Sequence, residues 1–252
     1  PYASSEFAVR PFIQRYPKRM MTQMKRWAGS ENENVRRLAT EGCRPRLPWA
    51  MALPQFKKDP APVMRILEML KADPSEYVRR SVANNLNDIS KDNPAIVIQI
   101  AKSWIGRSPE TDWMVKHACR TLLKAGNREV LRFFGYSAPD GIKVETFEIE
   151  ETVEWGGTLG FSFALSATGP SLGKLRIEYG LDFMKSNGRT ARKVFKISES
   201  EVAQTRKSIQ RRHSFRYIST RKYYPGLHGL AIIVNGQEIA SAEFVLLEPR
   251  KD

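Results

Sequence analysis

Two stretches of this 252-residue chain concentrate the side chains that do chemistry. The first is Glu41-Gly42-Cys43-Arg44-Pro45-Arg46-Leu47-Pro48-Trp49-Ala50, with a carboxylate, two guanidiniums and an indole in ten residues. Pro45 and Pro48 hold the residues before them in extended geometry, which is unusual for a packing connector. Trp49 is expected to open an apolar helix, Ala50-Met51-Ala52-Leu53. Residue type alone makes that indole core, and its flanking arginines favour a site. The second stretch is Arg79-Arg80-Ser81-Val82-Ala83-Asn84-Asn85-Leu86-Asn87-Asp88-Ile89-Ser90. Val78, Val82, Leu86 and Ile89 recur at spacings of four, four and three, the buried stripe of a helix. Arg80, Asn84 and Asn87 share another stripe, with Asp88 adjoining. Asp88 falls late in this helix, where negative charge opposes the helix dipole. Either it pairs with Arg80 or Arg44 or caps Lys91-Asp92-Asn93, or chemistry requires it there.

A carboxylate among cations can stabilise a developing positive charge or orient a water. Other chemistries lack their parts. A magnesium nuclease would need a cluster of acids, and no well-spaced third acid accompanies Glu41 and Asp88. Cys43, Cys119, His117, His213 and His228 show no zinc-ligand spacing, so a zinc site is not expected. No nucleophile elbow or Cys/His constellation appears.

The elements that must position these residues repeat. Asn34-Val35-Arg36-Arg37-Leu38-Ala39 resembles Tyr77-Val78-Arg79-Arg80-Ser81-Val82-Ala83, and Trp113-Met114-Val115-Lys116-His117-Ala118 is a weaker third copy. Second apolar helices, opening near Pro62, Pro94 and Arg128, lie between or after them, with proline suited to a first turn. Asp112 is expected to cap the third copy, with Trp113 in the core. A helix pair about every 35–45 residues is the HEAT/armadillo pattern, which stacks into a solenoid with a concave inner face. Residues 1–135 hold 24 Lys and Arg against 13 acids. Recurrent Arg79 and Arg80 positions in such a surface suit a phosphate track; the plainer alternative is that they cap preceding carbonyls.

Beyond Ser137-Ala138-Pro139-Asp140-Gly141 the texture changes to alternating strands. Candidates are Ile142–Ile149, Gly160–Ala167, Leu175–Tyr179, Ala191–Ile197, Ser214–Ile218, Gly229–Val234 and Ile239–Leu247. Asn235-Gly236 is a type I′ hairpin signal. The fold class is therefore α + β multidomain: a HEAT-like α-helical solenoid over 1–137, then an immunoglobulin-like β-sandwich over 141–252. Twelve Lys and Arg but two acids lie between Lys185 and Lys222, interleaved with His213, Phe215, Tyr217, Tyr223 and Tyr224. That mixture suits a nucleic-acid backbone, the alternative being a solubilising edge. The net charge of +14 points to a polyanionic partner. No apolar run spans a membrane, Pro1-Tyr2-Ala3-Ser4-Ser5 has no signal core, and two cysteines suit a reducing cytosol.

On these residues the chain resembles the HEAT-repeat DNA alkylation repair glycosylases. The carriers are the repeats, the Glu41…Arg44-Pro45-Arg46-Leu47-Pro48-Trp49 segment and Ser81–Ser90. Within that superfamily it is similar to the AlkC branch, whose immunoglobulin-like domain the sandwich resembles through Arg211-Arg212-His213-Ser214-Phe215 and Thr220-Arg221-Lys222-Tyr223-Tyr224-Pro225-Gly226. The resemblance implies a monofunctional, cofactor-free glycosylase, a monomer of the bacterial cytosol. It would release cationic alkylated bases (3-methyladenine, 3-methylcytosine) from duplex DNA without flipping them into a pocket. By motif, Asp88 matches the catalytic aspartate, Trp49 the aromatic on the lesion's sugar, Glu41 an active-site acid and Glu6 a further acid. Arg44 and Arg46 would contact phosphate or the abasic site, and Arg79, Arg80, Arg211, Arg212, His213, Arg221 and Lys222 would bind DNA. AlkC-type proteins usually carry helices ahead of the stretch that opens here, so the solenoid is expected to lack them. A non-enzymatic HEAT-repeat nucleic-acid-binding scaffold fits composition and repeats equally well.

Overall fold

The computed structural model describes residues 5–219 and 221–249. Pro1–Ser4 and Thr220, on which the leader and motif expectations partly rest, lie outside them. The chain divides into two compact units, Pro1–Ala125 and Gly126–Asp252.

The first unit is helical: α1 (Val9–Arg15), α2 (Pro17–Ala28), α3 (Glu33–Glu41), α4 (Pro54–Lys58), α5 (Ala61–Leu70), α6 (Glu76–Ile89), α7 (Pro94–Trp104), α8 (Pro109–Ala118) and α9 (Arg120–Lys124). The three sequence copies are α3, α6 and α8, which pack side by side, while α2 and α5 pack together as a second layer and α7 lies against α6 and α8. Val78, Val82, Leu86 and Ile89 are fully buried, and so is Val115. None of the helices described is long and apolar enough to cross a membrane.

Two local expectations are corrected. Residues 49–53 are not helical, and α4 begins only at Pro54. The ring of Pro54 disfavours helical backbone at Leu53, which sits at φ −111°, ψ 86°. The cap of α8 is Ser108, whose hydroxyl accepts from Thr111 N, with Pro109 at the first helical position. Asp112 lies inside the helix and accepts from Gly106 N at 2.6 Å instead. Trp113, one turn into α8, is 41% exposed rather than core.

The second unit opens with α10 (Arg128–Phe133) and continues as β1 (Ile142–Ile149), β2 (Thr152–Val153), β3 (Thr158–Ala167), β4 (Gly173–Met184), β5 (Thr190–Val202), β6 (Arg206–Ser214), β7 (Gly226–Val234) and β8 (Gln237–Leu246). A sheet ordered β1-β3-β6 faces one ordered β2-β8-β7-β4-β5 across a core that includes Leu159, Phe161, Phe163, Leu175, Ile177, Leu230 and Ile232. Ser214–Ile218 is not a strand. The strand is β6, whose sequence RKSIQRRHS pairs along β3 from Thr158↔Ser214 to Ser166↔Arg206. As an edge strand it buries few of its side chains, so it lacks the apolar alternation that marks the others. Charged edges also discourage pairing with other chains.

The β7–β8 turn has Asn235 at φ 47° and Gly236 at φ 78°, the left-handed pair a type I′ turn needs. Asn235 Oδ1 accepts from Arg176 N at 2.8 Å, and its amide donates to Ser137 O at 2.8 Å. A Cβ on Gly236 would lie 2.5 Å from Leu131 Cδ1 of α10 and 2.8 Å from Gly126 Cα. Gly236→Ala therefore combines backbone strain with a clash, and is expected to cost about 2 kcal/mol or more. Urea unfolding followed by a probe in the sandwich checks this.

Candidate active site

Glu41 ends α3 and Asp88 lies in the last turn of α6, so the packing of these helices brings two acids of distant sequence close. Arg44 joins them: its Nη1 donates to Glu41 Oε1 at 2.7 Å and its Nε to Asp88 Oδ2 at 2.9 Å. Asp88 is 2% exposed and Glu41 4%. Ser81, two turns earlier on the same face of α6, donates from Oγ to Glu41 Oε2 at 2.6 Å and is itself bonded to Thr40 Oγ1. Asn85 Nδ2 donates to Thr40 O at 2.8 Å, fastening α6 to α3. Burial alone would lower the Arg44 pKa, but Glu41 and Asp88 outweigh it and hold it above its ordinary value. Of the two partners considered for Asp88, Arg44 is the one found. Arg80 pairs with Glu76. The remaining oxygen, Asp88 Oδ1, meets Lys91 Nζ at a loose 3.4 Å, on a side chain 40% exposed. The buried acid is thus held firmly at one oxygen and loosely at the other.

Trp49 stands apart in kind. It is 98% exposed, on a backbone with φ +59°. For a bulky residue that left-handed conformation costs on the order of 1–3 kcal/mol and persists only where surroundings impose it. Exposure and strain together mark a presented side chain rather than a packed one.

The other expected residues divide. Arg46 Nε and Nη2 donate to Asp92 at 3.0 and 2.6 Å near the surface. Glu6, half-buried in the turn ahead of α1, shares no hydrogen bond or ion pair with the acidic pair among the described residues. Arg44, expected to contact phosphate or the abasic site, is buried between its carboxylates. At Arg79 the carbonyl-capping alternative is found: its Nη1 donates to Asp73 O at 2.7 Å and Pro74 O at 2.9 Å. Arg36, its counterpart, donates to Ser30 O, Glu31 O and both Asp73 oxygens. The first arginine of the first two copies therefore locks the preceding loop. The second faces an aromatic ring of the next copy: Arg37 lies 4.3 Å from the Tyr77 ring centre and Arg80 5.5 Å from that of Trp113.

In the sandwich, Arg211 and Arg212 are exposed on β6. Lys222 lies over Tyr224, and Arg221 over Phe183 at 4.7 Å. His213 is corrected as a DNA contact. Its ring packs among Tyr179, Phe195 and Phe215, with Nδ1 2.9 Å from Tyr179 Oη.

Burial, then Arg221 and Lys193, push the His213 pKa down to about 4. Burial, then Arg120 and Arg80, do the same for His117, which stacks on Trp113 at 5.2 Å. Unfolded histidine titrates near pH 6.5. Between about pH 6.5 and 4 the unfolded chain therefore binds more protons, and both units lose stability as the pH falls through that window. His117→Gln is expected to flatten this loss in the helical unit, seen as a smaller difference between urea midpoints at pH 7 and pH 5.

Sequence reasoning missed Arg10 and Arg120. Arg120 Nη2 donates to Asn84 Oδ1 at 3.1 Å, and its charge interacts with Asp88. Cys43 and Cys119 are buried thiols, burial pushing both pKa values up to about 12. No group of three His, Cys, Asp or Glu among the described residues is arranged to hold a metal ion.

Residues 3–122 match the family described as "DNA alkylation repair enzyme". Residues 143–248 match "Uncharacterised protein YhaZ, C-terminal Ig-like domain". The chain belongs to the DNA alkylation repair family, in its AlkC-type branch with an immunoglobulin-like C-terminal domain. It is similar to "Uncharacterized protein YhaZ" of Bacillus subtilis (strain 168), 46% identical over 245 residues, covering 96% of this chain and 68% of that one. Among solved structures it is similar to Pseudomonas fluorescens AlkC, an alkylpurine DNA glycosylase bound to DNA containing an abasic site analog. The TM-score is 0.93 at 40% identity, over 98% of this chain and 69% of that one.

Proposed function

We propose that the protein is a monofunctional DNA glycosylase that hydrolyses the N-glycosidic bond of cationic alkylated bases, 3-methyladenine and 3-methylcytosine, in duplex DNA. The observation that carries this reading is the acid pair: Asp88 and Glu41, buried in a basic unit and bridged by Arg44. Binding a polyanion draws nothing from two interior carboxylates, whereas a cation-forming reaction does; their structural use is to fasten α3 to α6 through Arg44.

An N3-alkylated base already bears positive charge, so it leaves without being protonated. The C1′–N bond breaks, its electron pair neutralises the base, and the sugar gains oxocarbenium character. Asp88 Oδ1 stabilises that charge as Lys91 is displaced from it. Water adds its oxygen to C1′, and its proton passes to the carboxylate and then to solvent. Trp49 lays its indole against the sugar, an attraction that grows as charge develops. Glu41 holds Arg44, and through it the orientation of Asp88. Arg46, Arg80 and the exposed Arg211, Arg212 and Lys222 meet phosphates, and the base stays out of any enclosed pocket.

The test is a panel of duplexes carrying 3-methyladenine, 3-methylcytosine or uracil. Release of both cationic bases and not of uracil is expected, because uracil is a neutral, poor leaving group. Uracil release at a comparable rate would remove the role assigned to the leaving group's charge.

A further inference from the structure

Arg10 is the largest fully buried side chain of the described residues, yet the chemistry above gives it no part. It sits on α1 and reaches the Glu41–Leu53 segment from inside. Its Nε donates to Met51 O at 2.7 Å, and its Nη1 to Gly42 O at 3.1 Å and Arg44 O at 2.8 Å. One guanidinium thus binds carbonyls on both arms of the loop whose tip is Trp49. Four residues on, Gln14 Nε2 adds Ala52 O at 3.3 Å. Leu53 N to Pro45 O at 3.1 Å closes the arms on each other. The approach is tight: a Cβ on Gly42 would lie 2.7 Å from Val9 Cγ2 of α1. Burying a guanidinium is unfavourable, and here it is burial first that lowers the Arg10 pKa. Among the described residues no carboxylate bonds it directly. Its acceptors are backbone oxygens, which is the arrangement of a staple rather than of an ion pair.

We infer that Arg10 is the positioning residue that holds the Gly42–Met51 loop in the form that presents Trp49 with left-handed backbone. The strain at Trp49 requires surroundings that impose it, and the loop's own bonds, Ala50 N to Leu47 O and Leu53 N to Pro45 O, leave both arms free to shift against α1. Arg10 removes that freedom. It also ties the loop to the helix that follows Glu6, so the spacing between Glu6 and Trp49 passes through this guanidinium. The catalytic part of this inference rests on the glycosylase reading; the structural part does not.

Three readouts test it on the full chain, with Arg10→Met removing the donors at similar volume. Hydrogen exchange at amides of 42–53 is expected to quicken at least tenfold, with α3 and α6 unchanged. Single-turnover release of 3-methyladenine is expected to fall at least about tenfold, with the Kd for duplex within about twofold, since misplacement by about 1 Å can cost up to about 100-fold in rate. In the double variant with Trp49→Ala, the rate is expected to equal that of Trp49→Ala alone, because Arg10 acts through Trp49. Unchanged loop exchange, or rate losses that multiply in the double variant, would overturn the inference. If Arg10→Met does not fold, Arg10→Lys, which keeps the charge and loses the fork, replaces it in the same three readouts. A parent protein that releases no base from any alkylated duplex would defeat the glycosylase reading, and the exchange result would still decide the role of Arg10 in the loop.

Discussion

Asp88→Asn is expected to slow base release by about 100- to 1,000-fold while duplex binding stays the same or tightens. The reasoning begins with charge. Asparagine keeps the shape of the side chain and can still accept from Arg44 Nε, now found at 2.9 Å. It cannot stabilise a developing sugar cation as a carboxylate does, so the loss falls on the chemical step. Binding moves the other way, because one negative charge is removed from a chain whose residues 1–135 hold 24 Lys and Arg against 13 acids. Stability should fall by about 1–3 kcal/mol, since buried Arg44 then has one ionic partner, Glu41, rather than two. Single-turnover rates below the melting temperature of the variant keep the two effects apart. A non-enzymatic scaffold would show the binding and stability changes with no activity to lose.

Trp49→Ala separates function from folding still more sharply. An indole that is 98% exposed buries nothing, so its removal should leave thermal stability within about 0.5 kcal/mol. Base release should fall by about 10- to 30-fold, the value of a well-placed, partly desolvated cation–π contact of up to about 2 kcal/mol. Trp49→Gly sharpens the test. Glycine adopts φ +59° without steric cost, so this variant is expected to be at least as stable as the parent and as slow as Trp49→Ala. Calorimetry beside the release assay checks both. A large drop in melting temperature for either variant would mean that the tryptophan holds the loop rather than being held by it.

How far the sequence could be read follows from the range of the forces involved. The inner helices were legible because Val-Arg-Arg recurs with its helical stripe, and the β7–β8 hairpin because Asn235-Gly236 specifies its own turn. Both signals are local. The start of α4 was misread because apolar residues 50–53 suggest a helix, while Pro54 sets its beginning. Residue type makes Trp113 core, whereas it is a stacking partner for His117 and Arg80 at the surface. β6 was missed because an edge strand of arginines and polar residues has no apolar alternation to see. At the site, Asp88, Glu41 and Trp49 stood out by motif, and Arg44 was weighed as a partner of Asp88. Its bridge to both acids depends on a contact 44 residues away in the chain. Arg10 could not be read at all. Its acceptors are main-chain oxygens 32–41 residues distant, and backbone carbonyls leave no trace in residue types.

The most direct test of the central claim is to incubate the protein with a duplex carrying one 3-methyladenine, in EDTA, and quantify the free base by chromatography against abasic sites formed. The expected result is one free 3-methyladenine per abasic site, with both strands intact until alkali treatment, and near-complete loss of both products in Asp88→Asn. Tight binding of the duplex without release of base, or release that Asp88→Asn leaves unchanged, would contradict the account.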